Sequence, residues 1–102
     1  MRQVAVRYTV KAGQAEANEE LVQAVYEELA KVKPDGFRYA TFRLDDGLTF
    51  LHVALYDEGA GNPLGSIGAF QRFTEGIAER CDVAPQAHEM TPVGSYRFPG
   101  ES

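Results

Sequence analysis

Tryptophan is absent from this chain of 102 residues, and cysteine occurs once, at Cys81. A single thiol excludes an internal disulfide and any metal site built on several cysteines. Cys81 stands beside Asp82 near the expected end of a helix, where neither neighbouring charge nor helix dipole favours a thiolate, so it reads as a structural side chain. Histidine occurs only at His52 and His88, without the H-x-x-x-H spacing that would put two imidazoles on one metal, so no metal site is expected. Basic residues are the minority: ten Lys and Arg against fifteen Asp and Glu leave a formal charge of −5. That balance repels phosphate backbones and anionic lipid, so neither nucleic acid nor a membrane is an expected partner. Long apolar runs are missing too, and the opening MRQVAVRYTVKAG alternates instead of presenting the apolar core of a signal peptide or span. A cytoplasmic location is the default expectation. Nucleophile-elbow, P-loop, dinucleotide and metalloprotease motifs do not occur.

What is present is an ordinary globular composition, 44 % hydrophobic and 25 % charged, and a length that suits one domain over residues 1–102. Residues 2–10 place Val4, Val6, Tyr8 and Val10 on one side of an expected strand. Over residues 14–33, Leu21, Val22, Val25, Leu29 and Val32 recur at three and four, an amphipathic helix stopped by Pro34, Asp35 and Gly36. Two strand-like runs follow, residues 37–44 and 48–56, joined through Asp45, Asp46 and Gly47. Asn62 then caps a second helix that has Pro63 at its first position and Ile67, Phe70, Phe73 and Ile77 as its apolar stripe. Gly65, Gly68 and Gly76 each weaken that helix by about 1 kcal/mol relative to alanine. Residues 89–98 read as a last strand, interrupted at Pro92 and so suited to an edge.

The order β-α-β-β-α-β makes an α+β, ferredoxin-like antiparallel sheet with two helices on one face. The other face would then lie bare, although both parities of the hairpin strands are largely apolar. Homodimerisation through that sheet face, closing an α+β barrel, is the expected remedy.

The stretch YTVKAGQAEANEELVQAVYEEL resembles the first strand, Lys-x-Gly turn and first helix of the dimeric α+β barrel proteins, in particular the antibiotic biosynthesis monooxygenase-like group. The resemblance runs on through the hairpin, the Phe-rich AFQRFTEGI and the final strand, and rests on patterns of hydrophobicity and turns. It implies paired subunits, a pocket between helices and sheet in each, and, in some members, oxygenation of polycyclic phenols with neither metal nor flavin, so no cofactor is expected. Other members degrade haem with a histidine on the second helix. AFQRFTEGIAERC has no histidine, so haem degradation is not expected here. The oxygenases compared carry a pocket tryptophan that this chain lacks, so their catalytic residues do not transfer by position. A ligand-binding or structural module on the same scaffold is the alternative function.

Chemistry on this scaffold would centre on His52. With Asp46 and Gly47 as the central pair of a two-residue turn, partner numbers sum to 93, His52 faces Thr41, and Phe37, Tyr39, Thr41, Arg43, Phe50, His52 and Tyr56 share a face. A three-residue loop with a bulge at Gly47 would instead pair His52 with Ala40 and split that cluster. The candidate base towards a phenolic proton is His52, against the reading of a packed, hydrogen-bonded imidazole. Tyr39, Arg43, Phe50, Tyr56, Asn62, Phe70 and Phe73 are the candidate contacts of a small aromatic ligand. Arg43 would hold a carboxylate or phenolate unless its aspartate neighbours occupy it, and Tyr8, Tyr26 and Tyr96 are further sources of hydroxyls.

Overall fold

In a computed structural model that describes residues 1–98, four strands form one antiparallel sheet in the order β2-β3-β1-β4. Residues 99–102 of the expected domain lie outside the described residues. The strands are β1 (Arg2–Val10), β2 (Phe37–Arg43), β3 (Thr49–Tyr56) and β4 (Cys81–Met90). Helix α1 (Ala15–Val32) connects β1 to β2, and its buried positions Ala15, Asn18, Val22 and Val25 fall on one stripe against the sheet. Its C-terminal carbonyl at Leu29 is met by the amide of Lys33 in a left-handed conformation.

The expected second helix is broken into three pieces. A 3₁₀ turn over Pro63–Ser66 leads into α2 (Gly68–Thr74), and α3 (Ile77–Arg80) follows after Gly76. Gly76 has φ +70°, a backbone state that glycine adopts without strain. Asn62 does cap the first piece, its Oδ1 accepting from the Leu64 amide at 3.1 Å. The carboxylate of Glu28 on α1 accepts from the amides of Gly68 and Ala69 at 3.3 and 2.9 Å, tying the start of α2 to α1.

The last strand lies earlier than expected, at Cys81–Met90 and not at 89–98. Its pairing with β1 shifts register between Arg7 and Thr9 and again before Val10, so β4 carries extra residues around Pro85 and Asp82. Proline has no amide to give a ladder, and an edge strand with a bulge tolerates it.

The hairpin settles the register. Arg43 pairs with Phe50, Thr41 with His52 and Tyr39 with Ala54, the arrangement whose numbers sum to 93. The connection is neither of the two expected loops. Leu44 closes the ladder against the Thr49 carbonyl, the Gly47 amide bonds back to Leu44, and Gly47 has φ +76°. Asp46 secures this wider loop by accepting from the amides of Leu48 and Thr49 and from the Thr49 hydroxyl.

The core, with Tyr8, Val10, Val25, Phe50 and Ile67 at its centre, lies between sheet and helices. The other face carries Ala5 from β1, Ala40 and Phe42 from β2, and Leu51, Val53 and Leu55 from β3, opposite in parity to the core residues. Among the described residues no helix is long and apolar enough to cross a membrane.

Candidate functional site

Where α2 and α3 span the sheet, they leave a cavity of about 420 Å³. Its floor is the inner face of the sheet: Val4, Val6 and Tyr8 from β1, Tyr39 from β2, and His52, Ala54 and Tyr56 from β3. Phe70, Phe73 and Thr74 of α2, with Ile77 of α3 and Leu64, make the roof. Arg2, Asn62 and Pro85 complete the lining. Arg2 is the only formally charged side chain among these residues. It lies over the Tyr56 ring at 5.5 Å and pairs with Glu89 at 2.9 Å.

The polar part of the floor is one hydrogen-bonded cluster around His52. The side chain is 4 % exposed. Nε2 of the imidazole lies 2.8 Å from the Tyr8 hydroxyl, and Nδ1 lies 2.8 Å from the Tyr39 hydroxyl and 2.9 Å from that of Thr41. Behind these, Asn18 donates to the Tyr8 oxygen at 2.8 Å and the Tyr26 hydroxyl meets Thr41 at 2.7 Å. Asn18 Oδ1 is buried and meets no hydrogen-bond partner among the described residues. Rings pack around the imidazole: Tyr8 at 5.3 Å, Phe73 at 5.5 Å and Tyr39 at 5.8 Å between centroids.

Burial sets the protonation states. Removal from water lowers the His52 pKa to about 4, because the charged form has no carboxylate to compensate it. Burial likewise pushes the Tyr8 and Tyr39 hydroxyls well above the ordinary tyrosine value. At neutral pH the cluster is therefore an uncharged imidazole among protonated hydroxyls. Such a group relays or exchanges hydrogen bonds readily, but it does not hold a proton for long.

Six of the eight expected site residues meet at this cavity: His52, Tyr39, Tyr56, Asn62, Phe70 and Phe73. Two do not. Phe50 is 1 % exposed and stacks on the far side of Tyr8 at 5.6 Å, inside the core. Arg43 lies at the hairpin end, donating to the Gly47 carbonyl at 2.9 Å and pairing with Glu19 at 3.1 Å and Glu16 at 4.0 Å. Both have the expected facing, but α1 covers their end of the sheet. Tyr8 was expected only as a further source of a hydroxyl, Thr41 only as the residue facing His52, and Asn18 not at all, although all three belong to the His52 cluster. Asn18 did leave a signal, since it interrupts the apolar stripe of α1 at a position where a polar side chain needs a buried partner.

No protein-family model and no curated protein matches the chain. Solved structures do. PA3566 from Pseudomonas aeruginosa aligns with a TM-score of 0.72 at 18 % identity, covering 91 % of this chain and 94 % of its own. SnoaB, a cofactor-independent oxygenase from Streptomyces nogalater, aligns with a TM-score of 0.68 at 16 % identity over 92 % and 94 % of the two chains. An antibiotic biosynthesis monooxygenase aligns with a TM-score of 0.62 at 17 % identity over 92 % and 100 %. Likeness at these identities is likeness of fold. The chain thus has the α+β, ferredoxin-like fold of the antibiotic biosynthesis monooxygenase-like proteins.

Proposed function

We propose that this protein is a cytoplasmic, cofactor-independent monooxygenase of a planar phenolic or polyketide-like aromatic molecule, bound beneath α2. The observation that carries the reading is the aromatic cavity of about 420 Å³ with one polar cluster, centred on His52, in its floor. Aromatic walls supply stacking area, and a few convergent hydroxyls orient a ligand by its polar edge. The fold shared with SnoaB supports the same reaction class.

The chemistry needs no external reductant. An activated methylene is oxidised to a carbonyl as dioxygen is reduced to water, R₂CH₂ + O₂ → R₂C=O + H₂O, with all four electrons from the substrate. The protein must remove a proton so that the resulting anion can give electrons to dioxygen, and return one to the peroxide formed. His52, neutral at pH 7, accepts the substrate's proton through the Tyr8 hydroxyl. Leaving that proton on an imidazole of pKa about 4 would cost about 8 kcal/mol for a phenol of ordinary acidity near pKa 10. Substrates more acidic than a simple phenol, such as enolised β-dicarbonyls and anthrone-type rings, are therefore the expected class.

Oxygen uptake with a panel of phenols and dihydroanthrone-type compounds tests the reading. Uptake is expected to fall at least about 10²-fold in His52→Ala and to be greatest for the most acidic substrates. Uptake unchanged by that substitution would remove His52 from the mechanism. The second reading, a non-catalytic binding module, draws on the fact that both imidazole nitrogens already have protein partners. It predicts aromatic binding with no oxygen uptake. Either reading includes a homodimer, the second copy packing on the apolar sheet face.

A further inference from the structure

Resting on the oxygenase reading, we infer that Tyr8, His52, Thr41 and Tyr26 form a proton relay that joins the cavity to a second, open cleft between α1 and β2. The links are continuous: Tyr8 hydroxyl to His52 Nε2 at 2.8 Å, Nδ1 to the Thr41 hydroxyl at 2.9 Å, and Thr41 to the Tyr26 hydroxyl at 2.7 Å. One end, Tyr8, lines the cavity. The other, Tyr26, is half-buried and lines a cleft of about 350 Å³ together with Lys33, Pro34 and Phe37. Tyr39 also lies at Nδ1 and lines both the cavity and the cleft, a second branch from the same nitrogen; the branch through Thr41 is the one that reaches Tyr26.

The relay takes its polarity from one tautomer. With Asn18 Nδ2 donating to the Tyr8 oxygen, the Tyr8 proton is free to point at Nε2, and the relay has it there, with the imidazole protonated at Nδ1. In that arrangement Nδ1–H donates to Thr41, Thr41 donates to Tyr26, and Tyr26 lines the cleft. A substrate proton arriving at the Tyr8 oxygen shifts each hydrogen one place along and delivers a proton to water, leaving the imidazole protonated at Nε2. Protonation of the peroxide anion runs the chain backwards and restores the starting tautomer. No proton is gained or lost over the cycle, and no member needs to hold a charge.

The surroundings favour a relay over a storage site. Among the described residues, the side chains that hydrogen-bond to or stack on the imidazole are Tyr8 from β1, Tyr39 and Thr41 from β2, and Phe73 from α2, while α1 contributes Asn18 and Tyr26 at one remove. None is a carboxylate, ammonium or guanidinium, so nothing in contact would trap an imidazolium. Thr41 and Tyr26 are on this account positioning residues that act through His52, and neither touches the substrate.

Nitrogen-15 NMR of the His52 ring tests the relay without turnover. The expected results are an Nδ1–H tautomer and ring N–H exchange with water that slows about tenfold or more in Thr41→Val and in Tyr26→Phe. An Nε2–H tautomer, or exchange untouched by both substitutions, overturns the relay. Each variant's fold is checked by its amide spectrum, and the two act on different links, so loss of folding in one leaves the other informative. With a turned-over substrate, both variants should lower kcat by about tenfold at unchanged KM and enlarge the solvent deuterium isotope effect. Normal turnover in both variants overturns the relay and leaves the oxygenase reading intact. Absence of oxygen uptake in the wild type, with the exchange result as expected, overturns the oxygenase reading and leaves the relay as a property of the fold.

Discussion

At the scale of the residue, His52 links stability to pH. Its pKa is lowered to about 4 in the folded chain but is near 6.5 when unfolded. Above pH 6.5 both states are neutral and the group imposes no penalty. As pH falls from 6.5 towards 4 the unfolded state takes up a proton that the folded state refuses, which costs about 3 kcal/mol in all. Denaturant unfolding at pH 7 and pH 4.5 should show most of this loss in the wild type and little of it in His52→Gln, the carboxylates being common to both. A wild-type slope equal to that of the variant would mean the imidazole titrates normally. The same desolvation explains why the histidine needs neighbours if it is to move protons at neutral pH.

At the scale of the element, α2 is the roof of the cavity, and its position depends on α1. Glu28 receives the Gly68 and Ala69 amides, and Arg80 closes the far end by donating to the carbonyls of Phe73 and Glu75 at 2.6 and 3.1 Å. Glu28→Ala leaves two amides at the start of α2 without their acceptor, at about 1–2 kcal/mol. Hydrogen exchange should quicken over Gly68–Thr74 while the amides of β1 and β3 stay protected; uniform quickening would place the effect on global stability instead. Strand β1, helix α1 and the hairpin were legible because each repeats its period over enough residues for a face to be assigned. The hairpin register was legible only as two alternatives, and Asp46 decides between them by holding a wider loop that keeps the sum of 93. Strand β4 was illegible, since Pro85, Gln86 and His88 break the pattern of a strand and β1 supplies the pairing from the other end of the chain. The site was half legible for a related reason. Alternation places Arg43 and Phe50 on the face of His52 but says nothing of position along it, and two residues, roughly 7 Å of strand, separate core from cavity.

At the scale of the molecule, the helices shield one face of the sheet and leave Ala5, Ala40, Phe42, Leu51 and Val53 with no helix above them. Phe42 is 52 % exposed, and beside it Phe98 borders a hollow of about 280 Å³ with Ala40, Val53 and Leu55. No Asp or Glu belongs to this face of β1, β2 or β3, although the chain is acidic overall. A second copy meets no acid-acid repulsion along these strands and can lay apolar side chains against their equivalents about a two-fold axis. The dimer is therefore expected to form at micromolar concentration and to depend on the strip around Phe42. Phe42→Glu would place one carboxylate from each copy in a desolvated seam, where charge without a partner is costly. Sedimentation equilibrium should give a dimer for the wild type and a monomer for this variant, with any binding of an aromatic probe in the cavity on the opposite face unchanged. A wild-type monomer at that concentration would sink the sheet-pairing argument. Loss of ligand binding together with dimerisation would show instead that the cavity needs the partner to hold its floor in place.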